Sequence, residues 1–71
     1  MPNSFRPEML KQRREILEMS RLDVVKRLYE RKLDTTEETL RMWEEGQTSP
    51  DADWLPALAD ILKCKVQEFY G

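Results

Sequence analysis

The chain contains no histidine, one cysteine and two glycines among its 71 residues. The absence of histidine excludes a His-based acid, base or metal ligand. Because glycine occurs only at positions 46 and 71, a glycine-rich phosphate loop is excluded as well. No set of side chains assembles an acid, a base and a nucleophile. We therefore expect no enzymatic activity, no metal, no cofactor and no small-molecule ligand.

Long hydrophobic runs are also missing from the sequence. No run of about 18 apolar residues occurs, so no membrane span is expected. The first ten residues, MPNSFRPEML, lack the apolar block of a signal peptide. Cys64, the single cysteine, cannot form an internal disulfide, which fits a reducing compartment. These features predict a cytoplasmic protein.

The composition is typical of one small folded domain. Hydrophobic residues make up 39% of the chain and charged residues 37%, which suits a helical domain better than a disordered segment. We predict a single domain with an N-terminal arm over 1–6 and a helical core over 7–70.

The charges are unevenly placed along the chain. Residues 1–33 hold nine Lys and Arg against five Asp and Glu, a net charge of +4. Residues 34–71 hold three against nine, a net charge of −6. The acidic total disfavours strong non-specific binding to nucleic acid, while the basic half keeps such binding open.

Capping residues and apolar spacing predict the first two helices. Pro7 is tolerated in a first helical turn, and apolar residues follow it at helical spacing, which predicts a helix over 7–18. Ser20 and Asp23, three residues apart, form a short variant of the capping box. They predict a second helix over 21–32.

A third helix is predicted over 36–45. Either Thr35 or Thr36 can cap it, and Thr35 with Glu38 would make a capping box. Gly46 is suited to closing it in the left-handed conformation.

The last part of the chain predicts two more helices. Because Pro56 is tolerated only in a first turn, Asp53 is a better N-cap for the fourth helix than Asp51. The segment VQEFY allows a short fifth helix, and no segment alternates like a strand. The predicted fold class is therefore all-α, with five short helices.

Two stretches, LKQRREILEMSRLDVVKRL and TTEETLRMWEEGQTSPDADWLPALADILKCKVQEF, resemble the Cro/CI-type (lambda-repressor-like, XRE) helix-turn-helix family. The pattern WExGxxxP, followed by spacing similar to LxxLAxxL, is the more specific part of this resemblance. The matching residues are Arg14, Ser20, Leu40, Trp43, Glu44, Gly46, Pro50, Leu58, Ala59, Leu62, Val66 and Phe69. The resemblance implies a sequence-specific regulator whose third helix enters the major groove of double-stranded DNA.

The chain departs from the family pattern between helices 2 and 3. Five extra residues lie between Leu28 and Asp34, where the family has a tight turn. Since Tyr29 and Leu33 are four residues apart and continue the apolar face, we expect helix 2 to be longer than its family counterpart. Three single residues also differ from the family, namely Glu18 and Lys63 in place of glycines at helix ends, and Arg21 in place of a glutamine.

The resemblance assigns the candidate DNA-binding residues to the first turns of helices 2 and 3. Ser20 and Arg21 open helix 2, and Arg21 is the best candidate for a phosphate contact. The base-contacting positions of helix 3 are Thr36, Glu37, Glu38 and Arg41. Glutamate accepts from cytosine N4, threonine contacts a thymine methyl and arginine binds guanine or phosphate. Carboxylates also repel phosphates, which lowers affinity and sharpens the choice of site.

Other interpretations of the same residues stay open. Glu37 and Glu38 equally suit the positive end of the helix dipole without any ligand. Together with the acidic second half and the insertion, they also fit a helix-turn-helix fold that has lost DNA binding and acts as an acidic protein-interaction module. Phe69 is assigned to the core or, alternatively and together with Tyr70, to a homodimer surface.

Glu44 is predicted to be structural. It lies in the last turn of helix 3, where the helix dipole opposes a carboxylate. In the family, the glutamate at this position pairs with the helix 1 arginine, here Arg14. We predict a largely shielded ion pair that ties helix 1 to helix 3.

Overall fold

The structure is a computed structural model that describes residues 5–70. This part of the chain is all-helical, as predicted, and contains four α-helices and two short 3-10 helices. The α-helices are α1 (Pro7–Ile16), α2 (Arg21–Glu30), α3 (Glu37–Glu45) and α4 (Leu55–Ile61). The 3-10 helices are Ala52–Trp54, which leads into α4, and Val66–Phe69, which follows it. None of these helices has the length and apolar character needed to cross a membrane.

The predicted fifth α-helix is wrong, because Val66–Phe69 is a 3-10 segment of four residues. Tyr70 directly after it has extended backbone angles and forms an antiparallel bridge with Phe5. The segment is therefore too short to build an α-helical ladder of hydrogen bonds. Apart from this isolated bridge, residues 5–70 contain no β-structure.

The start of α2 is capped as its sequence predicts. The hydroxyl of Ser20 accepts from the backbone N–H of Asp23 at 3.1 Å, and the Asp23 carboxylate accepts from the backbone N–H of Ser20 at 2.9 Å. This reciprocal pair satisfies two backbone donors that a helix end leaves free.

The start of α3 uses one of the two predicted threonines. Thr36 is the N-cap, and its hydroxyl accepts from the backbone N–H of Thr39 at 3.1 Å. The alternative capping box between Thr35 and Glu38 is not formed, because Thr36 is the N-cap and the third helical residue is therefore Thr39.

All four α-helices end in the same way. A residue with positive φ follows each of them, and only Gly46, at φ 81°, is a glycine. The others are Glu18 at φ 56°, Lys32 at φ 64° and Lys63 at φ 57°. After each one, the next backbone N–H reaches back five residues to a carbonyl of the last turn, at 2.9–3.0 Å. This is the Schellman arrangement, which satisfies carbonyl groups at the helix end.

The left-handed residues shorten two helices relative to the prediction. α1 ends at Ile16 rather than at 18, and α2 ends at Glu30 rather than at 32. α2 does extend two residues past Leu28, into the insertion. Tyr29 does not continue the buried face, because it lies 68% exposed.

The start of α4 also differs from the prediction. Neither Asp51 nor Asp53 caps it, because the 3-10 turn that contains Asp53 continues directly into α4. This leaves no free first turn for Asp53 to cap. Pro56 is the second residue of α4, in the first turn as expected.

One hydrophobic core joins the helices. α3 packs against both α1 and α2, and α4 packs against α2 and the second 3-10 helix. Trp43 and Trp54 meet edge to face with ring centroids 5.4 Å apart. The buried apolar residues are Leu10, Val24, Leu28, Leu40, Trp43, Leu55, Leu58, Ala59, Ile61, Leu62 and Phe69.

The two ends of the described chain lie together. The backbone N–H of Arg6 donates to the carbonyl of Phe69 at 2.6 Å, and the ring of Phe5 lies 6.3 Å from that of Phe69. Of the predicted N-terminal arm, residues 1–4 lie outside the described residues. Phe69 is 0% exposed, so of the two residues assigned alternatively to a homodimer surface, only Tyr70 retains exposed area.

Candidate functional site

An open groove of about 540 Å³ lies between α1 and the N-terminal turns of α2 and α3. Five of the six candidate DNA-binding residues line it. Thr36 is the exception, since it lines a separate cleft on the other side of the α3 N-terminus. The groove is lined by Lys11, Arg14, Glu15, Ser20, Arg21, Glu37, Glu38 and Arg41.

The base of this groove is the predicted ion pair between α1 and α3. Arg14 Nε donates to Glu44 Oε2 at 2.7 Å, and Arg14 Nη2 donates to Glu44 Oε1 at 3.1 Å. The side chain of Arg14 is 11% exposed and that of Glu44 only 1%. The prediction of a shielded pair is therefore confirmed. The hydrogen bonds that Arg14 donates to Glu44 raise the pKa of Arg14 above its ordinary value, with a smaller opposing effect of burial.

Arg21 joins the same carboxylate. Its Nε donates to Glu44 Oε1 at 3.1 Å, and its side chain is 33% exposed. One buried carboxylate thus holds two arginines from different helices. The three charges sum to +1, and Arg21 presents this remaining charge towards the groove.

Ser20 places the N-terminus of α2 at the edge of the groove. Its side chain is engaged in the capping box with Asp23, so the hydroxyl already has a partner. The free backbone donors of the first turn and the positive end of the helix dipole nevertheless favour an anion at this position.

The outer face of α3 carries one cation enclosed by two carboxylates. Arg41 donates from Nε to Glu38 Oε1 at 3.1 Å and from Nη1 to Glu45 Oε1 at 2.7 Å. A further hydrogen bond joins Arg41 Nη2 to Glu38 Oε2, so both oxygens of Glu38 are used. The hydrogen bonds from Arg41 lower the pKa of Glu38, and those to Glu38 and Glu45 raise the pKa of Arg41.

Glu37 differs from its neighbour. It is exposed, and within residues 5–70 its carboxylate makes no side-chain hydrogen bond or ion pair. It therefore faces the groove as a free acceptor, whereas Glu38 is already occupied. The lining of the groove contains four cations and three carboxylates, so its charge is close to balanced once Glu44 is included.

Two contacts at or near the site were not predicted from the sequence. Glu45 was not among the candidate residues, although its separation of four from Arg41 is a readable signal for a helical ion pair. The link between Arg21 and Glu44 has no such signal, because the two residues are 23 positions apart.

Comparison with known proteins gives no match for this chain, whether to a protein-family model, to a curated protein or to a solved structure.

Proposed function

We propose that the protein is a sequence-specific DNA-binding regulator of the Cro/CI-type helix-turn-helix kind, with α3 as the helix that reads the major groove. The observation that carries this proposal is the groove itself. It brings the N-terminus of α2 and the outer face of α3 to one surface, where a phosphate backbone and base edges can be contacted together.

In this proposal the start of α2 contacts phosphate. The free N–H groups of its first turn and the capped Ser20 form an anion-binding end. Arg21 adds a charge whose terminal nitrogens lie beside the Glu44 carboxylate without being bonded to it in residues 5–70. Arg21 can therefore donate to a phosphate while it keeps its bond to Glu44.

The exposed positions of α3 supply the base contacts. Glu37, Glu38 and Arg41 line the groove, and Leu40 and Trp43 of the same helix are buried. Thr36, the N-cap, faces the separate cleft and is left out of this set. Arg41 is the attractive group, for guanine or phosphate, and Glu37 is the free acceptor for cytosine N4. To make this contact, Arg41 exchanges its bonds to Glu38 and Glu45 for bonds to the DNA.

A second candidate function is favoured by the same enclosure of Arg41. With its cation neutralised by two carboxylates, the outer face of α3 is acidic, and Glu38 is 66% exposed. Such a face suits a basic protein partner and repels phosphate. The alternative is therefore an acidic protein-interaction module that keeps the helix-turn-helix fold.

The test is a titration with random-sequence duplex DNA at about 50 mM salt, followed by selection from a random pool. DNA binding that weakens with salt, together with an enriched sequence, supports the regulator. Absence of both rejects it in favour of the interaction module. A palindromic enriched sequence would add that two copies bind together, as a homodimer. We place such a regulator in the cytoplasm.

A further inference from the structure

The guanidinium of Arg41 is fully engaged by its own helix. Its three nitrogens bond to Glu38, three residues earlier, and to Glu45, four residues later. Glu45 is itself held in place, because the side-chain amide of Gln47 donates to the same Oε1 atom at 3.0 Å. We call the set of Glu38, Arg41 and Glu45 the α3 clasp.

Within the α3 clasp, Arg41 binds acceptor groups similar to those that DNA would offer it. The Glu38 carboxylate offers two acceptor oxygens side by side, and a phosphate group or the O6 and N7 atoms of guanine offer a similar pair. Any DNA ligand must therefore compete with a bidentate partner that is already present. Arg21 differs, because only its Nε is bonded to the Glu44 carboxylate.

We propose that Glu38 and Glu45 determine specificity by keeping Arg41 from non-specific phosphate contacts. This inference rests on the proposed DNA-binding function. On random DNA, releasing Arg41 leaves the Glu38 and Glu45 carboxylates without their cation beside phosphates, so the exchange is unfavourable. At a site with guanine opposite Arg41 and cytosine opposite Glu38, both groups find new partners, because the released carboxylate accepts from cytosine N4. Such a site therefore offsets most of the hydrogen bonds lost when the clasp opens, and Glu45 keeps its bond from Gln47.

This mechanism differs from general repulsion of DNA by an acidic helix. General repulsion acts directly between carboxylate and phosphate, and it does not involve Arg41. The clasp acts through Arg41, so its effect must disappear when that residue is removed. The two explanations therefore predict different results in a double-mutant cycle.

The experiment compares two charge-matched variants. Glu38→Gln/Glu45→Gln opens the clasp, and Glu15→Gln/Glu18→Gln removes two exposed carboxylates that have no bond to Arg41 and no assigned DNA contact. Each variant is made with Arg41 and with Arg41→Ala. Binding to a labelled random duplex is measured by fluorescence anisotropy between about 50 and 200 mM salt, after circular dichroism has established that each variant is folded.

We expect the open clasp to bind random DNA about tenfold more tightly than the wild type at the lowest salt, since Arg41 gains a phosphate contact. The slope of log affinity against log salt should steepen by about 0.9, the value for one added phosphate. The control should gain less affinity and keep its slope. With Arg41→Ala, the advantage of the open clasp over the control should vanish.

Two results would overturn the inference alone. One is equal gains for the open clasp and the control in the presence of Arg41. The other is a gain for the open clasp that persists with Arg41→Ala, because that gain would come from general repulsion. If neither the wild type nor the open clasp binds DNA at the lowest salt, the proposed function fails, and the inference fails with it.

Discussion

Arg14 and Glu44 face each other through two parallel hydrogen bonds, of 2.7 and 3.1 Å, in a setting where almost no surface of either side chain reaches solvent. Arg14 also donates from Nη1 to the carbonyl of Met19 at 3.0 Å, in the turn that precedes α2. This single guanidinium therefore connects α1, the α1–α2 turn and α3. It fixes how α3 lies relative to the start of α2.

Replacing Glu44 should be far more damaging than replacing its neighbour. Glu44→Ala leaves two arginines around an empty buried position, and breaking a buried pair in this way costs about 3–5 kcal/mol. Glu45→Ala, at an exposed position, should change the free energy of unfolding by less than about 0.5 kcal/mol. Urea denaturation measures both. If Glu44→Ala does not fold, Glu44→Gln gives the comparison, and a Glu44→Gln variant as stable as the wild type would contradict the prediction.

Glycine should stabilise the ends of three helices. Glu18, Lys32 and Lys63 adopt the left-handed conformation, which costs non-glycine residues about 1–2 kcal/mol each. Glycine also gives the unfolded chain more conformational entropy, which offsets part of this gain. Each change to glycine should therefore raise the free energy of unfolding by about 0.5–1 kcal/mol. Thermal unfolding should shift upwards by roughly 2–8 °C per change. Glu15→Gly, inside α1, is the control and should lower the melting temperature instead.

The capping box of α2 should give stability that depends on pH. Hydrogen bonds from the backbone and side chain of Ser20 lower the pKa of Asp23 below its ordinary value of 3.8. A carboxylate with a lowered pKa in the folded state stabilises the protein above its unfolded pKa, and this contribution is lost as the pH falls through the folded pKa. The stability difference between the wild type and Asp23→Asn should therefore be full at neutral pH and shrink below about pH 4.

The measurement is urea denaturation of both proteins at several pH values. Asp53→Asn is a matched control, because the Asp53 carboxylate makes no hydrogen bond within residues 5–70. A difference between the wild type and Asp23→Asn that stays constant down to about pH 2 would refute the role of the cap.

Arg41→Ala should weaken binding to a selected operator. Loss of a bidentate contact to guanine should lower the affinity at least about fivefold and relax the preference at one base pair. Lys65→Ala is the control, since Lys65 lies before the second 3-10 helix, outside the groove. Titration with the selected duplex and with a single-base variant measures both effects. An unchanged affinity and base preference would remove Arg41 from the reading surface.

The parts of the fold that depend on local signals were predictable from the sequence. The caps at Ser20 and Gly46 need only a few neighbouring residues, and both are confirmed. The pair of Arg14 and Glu44 is 30 positions apart and was predicted only through the family resemblance. The left-handed turns at Glu18 and Lys63 have no local signal, because neither residue type favours that conformation. Only the alignment of these positions with glycines of the resembled family pointed to them.

Long-range contacts from side chains to backbone carbonyls could not be predicted from the sequence. Arg13 donates from Nη2 to the carbonyls of Leu62 and Lys63, at 3.2 and 2.8 Å, across about 50 positions of the chain. Every residue has a carbonyl, so the sequence carries no mark of which one is used. The length of the 3-10 helix Val66–Phe69 could not be predicted either. It ends where Tyr70 pairs with Phe5, and this pairing depends on the complete fold.

The bridge between Phe5 and Tyr70 makes the described chain a nearly closed ring. The closure lies beside Pro7. The ring of Pro7 is 3.4 Å from where a side chain on Gly46 would begin, so the closure is near the C-terminal end of α3 and not its N-terminal turn. A short peptide linker could therefore join the two ends without covering the groove. In a cyclic chain the unfolded state has fewer conformations, a restriction on the order of 4 kcal/mol for a loop of this size. Cyclisation would therefore make the domain harder to unfold while leaving its proposed DNA-binding surface unchanged.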